Sequence, residues 1–370
     1  MKIKILFLIP SLDNGGAEKC LVNMVNNLNP EKYDITVMTL YDRGENRKYL
    51  NKRISYSYVF KKYPKGFIHL YKLLSPKILY KKFVKGKFDI IVSYLEGPTT
   101  RIVSGCCDKH TKLINWIHCD IKNEKQFCKP YRNKKEMLKI YSKYYQTIFV
   151  SKATQENFIN KFPSIFNNSK VIHNIVDTDE IIRLSNEKIK MKKKGLTLVS
   201  VGRLAKVKGF DRLFKIINKL IHERIECFLW IIGNGSEEKK LKKYIDENKL
   251  NNYISLLGYD ENPYKYVKNA DIYVCSSYSE AYSTSVTEAV VLGKPIITTL
   301  CSGMNEILDD GKSGLIVENN ENALYDGLKK IIIDDNFRRG LIELSKIKSE
   351  DLSLLNQVKC IEDFFENVIK

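Results

Sequence analysis

The chain has 370 residues, 44% of them hydrophobic and 28% charged, and sets 62 Lys and Arg against 43 Asp and Glu for a formal net charge of +19. The length suits two domains rather than one core, the composition is that of an ordinary globular protein, and no run of 18 apolar residues offers a bilayer span. The positive balance leaves two readings open: a lysine-rich, soluble surface, or attraction to a polyanion such as nucleic acid or an anionic membrane.

The opening KIKILFLIP lacks the long apolar region and small-residue cleavage site of a signal peptide and reads as a first buried strand. SLDNGGAEK follows, then the helical pattern AEKCLVNMVNNL and the strand DITVMTL, the order of a parallel sheet with crossover helices. FDIIVSYL, KLINWIH, TIFVS and KVIHNIV continue as strands. The polar SNEKIKMKKKG (185–195) reads as the linker region, after which LTLVSVGRL, FLWIIGNG, YISLLGY, DIYVCSS and KPIITTL repeat the strand logic. Helical patterns lie between them, as in GFDRLFKIINKLI and EEKKLKKYIDENK. Two open α/β halves are expected: residues 1–180, residues 181–353, and a closing helix at 354–370. Sheets of this kind bind ligands beyond the carboxyl ends of their strands, and two halves suggest a cleft.

Two features stand outside this frame. The nine cysteines (Cys20, Cys106, Cys107, Cys119, Cys128, Cys227, Cys275, Cys301 and Cys360) form no CxxC pair, which argues against a disulfide framework or zinc site and for a reducing compartment. The stretch 59–88 carries Lys61, Lys62, Lys65, Lys72, Lys77, Lys81, Lys82, Lys85 and Lys87 with no acidic residue, and Phe67, Leu70, Tyr71, Leu74 and Ile78 at helical spacing. It fits an amphipathic helix on an anionic leaflet, or a helix packing its stripe on the sheet under a solvated lysine face. A second basic aromatic stretch covers 129–145. No recognition helix, RNP or zinc-finger pattern supports nucleic acid as a partner.

The residues that carry chemistry lie at strand ends. Gly15 and Gly16 separate the first strand from its helix, where backbone can approach a ligand and the helix amino terminus favours an anion. No GxGxxG fingerprint is present, which argues against a nicotinamide enzyme. In VGRLAKVKGFDRL, Arg203 and Lys208 follow a buried strand, and a guanidinium fork with an ammonium suits a diphosphate. Positive charge is disfavoured at a helix start, so a purely structural pair is the poorer account. SEAYSTSVTEA places Glu280 in a loop and Glu288 a turn inside a helix expected to begin near Thr284. Its amides suit phosphate or sugar oxygens, and carboxylates suit vicinal hydroxyls. His118 alone reads more readily as a structural histidine than as a site residue.

The GG loop, WIH, VSKAT, HNIVD, VGRLAKVKG, IIGNG, LLGY and the E-x7-E pair run in the order of the retaining GT-B glycosyltransferases of family 4, and the chain resembles that family from end to end. The resemblance implies two Rossmann-like domains facing across a cleft. It implies that Arg203 and Lys208 bind the donor diphosphate, Glu280 the donor-sugar hydroxyls, and Glu288 the ribose, with His118 beside the reacting carbon. Gly15 and Gly16 would underlie phosphate or acceptor, and Gly233, Gly235 and Tyr259 would line the nucleoside pocket. The family's Gly-Phe-Gly-Leu after the first Glu is here Ala281, Tyr282, Ser283 and Thr284, a variation that with Ser285 offers hydroxyls to the donor and puts the sugar's identity in doubt. Similar variants occur in bacterial capsule and exopolysaccharide enzymes of the family.

The expected reaction is metal-independent transfer of a hexosyl unit from a nucleoside-diphosphate sugar, a UDP-sugar, with retention and no cofactor beyond that co-substrate. The expected acceptor is a polyprenyl-diphosphate-linked or oligosaccharide hydroxyl, met at the cytoplasmic face of the membrane. The alternative is a non-catalytic nucleotide-sugar-binding partner of another transferase.

Overall fold

The computed structural model describes residues 2–62, 64, 71–121, 123–165 and 168–370. It divides into two compact units, Met1–Ile175 with Leu355–Lys370, and Val176–Leu354. In the first unit the strands are β1 (Ile3–Ile9), β2 (Tyr33–Tyr41), β3 (Ser55–Phe60), β4 (Ile90–Tyr94), β5 (Lys112–Ile117), β6 (Gln146–Phe149) and β7 (Ser169–Val171). They form a parallel sheet in the order β3-β2-β1-β4-β5-β6-β7. The second unit holds β8 (Thr197–Val201), β9 (Phe228–Ile232), β10 (Ile254–Leu256), β11 (Ile272–Cys275), β12 (Ile296–Thr299) and β13 (Leu315–Val317), parallel in the order β10-β9-β8-β11-β12-β13. Each unit is the expected Rossmann-like α/β domain. Central strands such as β1 and β4 are continuous apolar runs because helices cover both faces.

Two strands escaped the sequence reading, β3 and β13. Both are sheet edges and only partly buried, so neither shows the continuous apolar run of a central strand. The closing segment is helical from Leu354 to Ile369 and packs on the first unit. Phe365 is fully buried and sets its ring edge-on to Phe7 and Tyr33, and Glu362 and Glu366 both hold Lys32. The units part at Ile175/Val176. The polar 185–195 stretch lies inside the second unit, because the helix Thr178–Ser185 before it buries Ile181 against Tyr264 and Val291 there.

The stretch 59–88 is interrupted. A helix runs from Pro76 to Phe83, started by the Ser75 side chain, which accepts from the Ile78 amide. Tyr71 and Leu79 are buried in the first unit's core while Leu73 and Ile78 stand exposed, so one unbroken stripe does not form. Lys65, Phe67 and Leu70 lie outside the described residues.

Candidate functional site

Open α/β sheets bind ligands where the strand order reverses, because neighbouring loops leave in opposite directions and a crevice opens. In the second unit that point lies between β8 and β11. The loop after β8 carries Arg203 and Lys208, and the loop after β11 carries Glu280.

Backbone crossings shape the first loop. Leu204 donates its amide to Asn234, and Glu237 donates to Leu204. A Cβ on Gly233 would fall 2.0 Å from the Gly202 carbonyl oxygen, and one on Gly235 would fall 2.4 Å from that of Leu204. These two glycines are therefore required by loop-on-loop packing. Lys206–Lys208 form one tight turn, closed by Gly209 at φ +64, where a Cβ would strike the Ser276 carbonyl. The 208 end of one loop is thus pressed onto the 276 end of the other, and Ser276 Oγ donates to the Lys208 carbonyl at 2.9 Å.

This contact sets the charge pair. Lys208 Nζ lies 2.6 Å from Glu280 Oε1, and Ser277 Oγ donates to the same oxygen at 2.6 Å. Burial presses the ammonium toward neutrality, but the Glu280 carboxylate outweighs it and Lys208 is held above the usual lysine range. Arg203 is exposed at the loop surface, near enough to oppose the charge on Lys208.

The helix Thr284–Val291 begins where the sequence placed it. Ser283 is buried, and its Oγ accepts from the Val286 amide, so this hydroxyl is engaged as a helix cap. Thr284 and Ser285 remain partly open. Glu288 is buried one turn inside, its Oε1 accepting from the Tyr264 hydroxyl at 2.9 Å. Tyr259 stands exposed after β10, next to Gly258, whose carbonyl accepts from the Gly233 amide. The structure brings Arg203, Lys208 and Glu280, on loops, and Thr284 and Ser285, at a helix start, to one end of one sheet. Among the described residues no group of three or more His, Cys, Asp or Glu side chains is placed to hold a metal ion.

Sequence reading missed the residue that ties these loops together. Arg212 is 2% exposed, and its guanidinium donates to the carbonyls of Ser276 and Ser277, to Thr299 Oγ1 and to Asn319 Oδ1. The Tyr278 ring lies 4.1 Å from its carbon centre. Ser277, three residues before Glu280, and Tyr264, which reaches Glu288 across 24 positions, were missed too. Only a buried arginine amid apolar helix positions, in FDRLFKII, hinted at any of this.

In the first unit Gly15 precedes the helix Gly16–Asn27, and the Glu18 carboxylate folds back over it, 2.0 Å from where a Cβ would stand. An acid already occupies the place where an anion was expected. His118 follows β5 and is enclosed, its ring 4.4 Å from that of Tyr94 and stacked with Trp116. Burial holds its pKa far below the usual histidine value, at about 3, with nearby Asn174 opposing the shift, and neither ring nitrogen meets a hydrogen-bond partner among the described residues. The imidazole is therefore neutral at physiological pH.

The family model described as Glycosyltransferase Family 4 matches residues 14–180, and that described as Glycosyl transferases group 1 matches residues 182–347. The N-acetylgalactosamine-N,N'-diacetylbacillosaminyl-diphospho-undecaprenol 4-alpha-N-acetylgalactosaminyltransferase of Campylobacter jejuni is 30% identical over 202 residues, 54% of each chain. An uncharacterized glycosyltransferase of Methanocaldococcus jannaschii is 29% identical over 259 residues, 63% of each chain. The chain thus spans between about half and under two thirds of these curated relatives. Among solved structures, HepE of Anabaena in complex with UDP and glucose superposes with a TM-score of 0.77 at 17% identity, over 99% of this chain and 100% of that one, a likeness of fold.

Proposed function

The chain belongs to the GT-B glycosyltransferases, family 4 in its first half and group 1 in its second, and on that premise we propose that it moves a hexosyl unit from a UDP-sugar to a hydroxyl of a lipid-linked or growing surface-polysaccharide acceptor, with retention. The observation that carries this is the Lys208–Glu280 pair beside the open start of the Thr284–Val291 helix, at the strand-order reversal of the second unit. The donor diphosphate lies against Arg203, Lys208 and the amides of Thr284 and Ser285. As the sugar–phosphate bond breaks, charge grows on the leaving oxygen, and groups fixed there beforehand stabilise it without reorganising. Two cationic side chains and a helix start supply this charge, so the scheme needs no metal. Glu280 accepts hydrogen bonds from donor-sugar hydroxyls, and Glu288, braced by Tyr264, accepts from the ribose. His118, neutral, donates to the sugar. The diphospho-undecaprenol acceptor in the Campylobacter relative's name and the UDP bound to HepE support the choice of acceptor and donor.

The test is thermal unfolding with UDP, GDP and ADP. UDP binds the native state alone and raises the midpoint by mass action, while Glu288→Gln, whose amide oxygen still accepts from Tyr264, sharply reduces that rise and leaves the ligand-free midpoint close to wild type. A folded protein whose midpoint no nucleotide moves sinks the transferase reading and favours a non-catalytic partner role.

With a lipid-linked acceptor, the reading extends to docking of the first unit on an anionic membrane surface. Leu73 and Ile78 are 74% and 51% exposed, among the exposed Lys77, Lys81, Lys82, Lys85 and Lys87. Their presentation is rigid: buried Arg101 donates to the carbonyls of Tyr71 and Leu74 while paired with Glu136, and Arg132 donates to that of Leu73. No described helix is long and apolar enough to cross a membrane. The protein sediments with phosphatidylglycerol vesicles at low salt and is released as salt rises, and Leu73→Ser with Lys81→Glu weakens sedimentation at least tenfold. Equal sedimentation with phosphatidylcholine vesicles contradicts the assignment.

A further inference from the structure

We propose that Glu96 binds a hydroxyl of the acceptor sugar, as the first unit's counterpart of Glu280. In the first sheet the strand order reverses between β1 and β4, and in the second between β8 and β11. Glu280 follows β11, the first strand beyond the reversal in its unit. Glu96 follows β4, the strand in the same place in the other unit. Each carboxylate therefore stands at the crevice that such a sheet offers a ligand.

The backbone at Glu96 is held in a form that simple chain reversal does not need. Leu95 has φ +88 and Gly97 φ +107, so the acid sits between two left-handed residues at an elbow from β4 into the helix Pro98–Val103. A bulky residue at positive φ is costly, by about 1 to 3 kcal/mol, and persists only where its surroundings fix it. Here they do: the Leu95 amide donates to the Trp116 carbonyl, and its own carbonyl accepts from Thr99 Oγ1 at 2.7 Å. Strain of this kind clusters where a side chain must be aimed.

The carboxylate is only part-buried, and two donors reach it. Oε2 accepts from the His118 amide at 3.1 Å, and the Cys119 thiol also bonds the group. Among the described residues no lysine or arginine pairs with it. A carboxylate is acceptor-only and offers about four lone-pair sites, so capacity remains for hydroxyl donors. Its neighbour is His118, which the transferase reading places at the donor sugar, and the assignment rests on that reading.

The experiment uses the full chain, saturated with UDP, on an array of immobilised bacterial surface oligosaccharides. Wild type retains a subset of glycans. A charged acceptor of hydroxyl hydrogen bonds predicts the order wild type, then Glu96→Asp, then Glu96→Gln, with Gln at least about tenfold weaker. A merely structural role, capping the His118 amide, predicts that Gln binds like wild type while Asp, too short, is worse. That second order, or a wild type that retains no glycan, overturns the proposal. The UDP midpoint rise, measured on the same variants, belongs to the second unit and stays at the wild-type value. Its absence in wild type instead refutes the transferase reading itself, so the two failures are told apart.

Discussion

Replacing Lys208 by Met slows consumption of the UDP-sugar by about 10²- to 10³-fold, the usual cost of removing one fixed group from a developing charge. The side chain sits where it can exchange partners. Without donor its ammonium bonds Glu280 Oε1 at 2.6 Å. On the proposed function, a bound donor's diphosphate takes a share of the ammonium while its sugar hydroxyls occupy Glu280, so the pair would open toward two different parts of one substrate. The interaction with phosphate strengthens as the leaving oxygen gains charge, which places the loss in kcat more than in KM. Met keeps the apolar stem of Lys208, limiting the packing loss. It also strands Glu280 with only the Ser277 hydroxyl, and Glu280→Gln relieves this in the double variant. The two residues act as a unit, so the double variant is about as slow as Lys208→Met rather than slower by the product of the single effects. Radiolabelled donor consumption, with water as the final acceptor if no other is supplied, measures this without knowledge of the natural acceptor. A Lys208→Met enzyme within threefold of wild type refutes the assignment.

What could be read from the sequence was what neighbours in the chain create. The strand, glycine and helix order around Gly15, the buried strand before Arg203 and Lys208, and the helix beginning at Thr284 are local patterns, and each appears in the fold. What could not be read depends on residues far apart. Tyr264 reaches Glu288 across 24 positions, and Arg212 reaches Ser276 across 64. Ser283 shows the same limit in reverse. Its hydroxyl was read as a ligand group, and its oxygen has a second task, accepting from the Val286 amide at the helix start. Edge strands β3 and β13 were hidden because partial exposure removes the apolar run that reveals a central strand. The broken stretch at Ser75 was hidden by lysines that look alike on a packed helix and on a membrane face.

Arg212 carries the second large effect, and it couples stability to activity. Its guanidinium is fully interior and donates to four residues on the loops leaving three strands: Ser276 and Ser277 after β11, Thr299 at the end of β12, and Asn319 after β13. Burial lowers its pKa, yet an arginine stays charged, so the cost of enclosing it is met by that full set of carbonyl, hydroxyl and amide acceptors and by the Tyr278 ring. Arg212→Met strips the buried Ser276 carbonyl of both its guanidinium donors and leaves the Ser277 carbonyl with only Thr299 Oγ1 and Cys301, a loss, with the Tyr278 contact, of about 3 kcal/mol. For a unit of this size that lowers the unfolding midpoint by about 10 °C. Arg212→Lys does not rescue, since one ammonium cannot span the fork's partners. The chain's two tryptophans lie one in each unit, Trp116 in β5 and Trp230 in β9, so fluorescence in a Trp116→Phe background follows the second unit alone. Because Arg212 holds the carbonyls three and four residues before Glu280, the surviving folded fraction also loses donor turnover while Lys208 is unchanged. An Arg212→Met chain that unfolds at the wild-type denaturant concentration would show that the loops hold their places by packing alone.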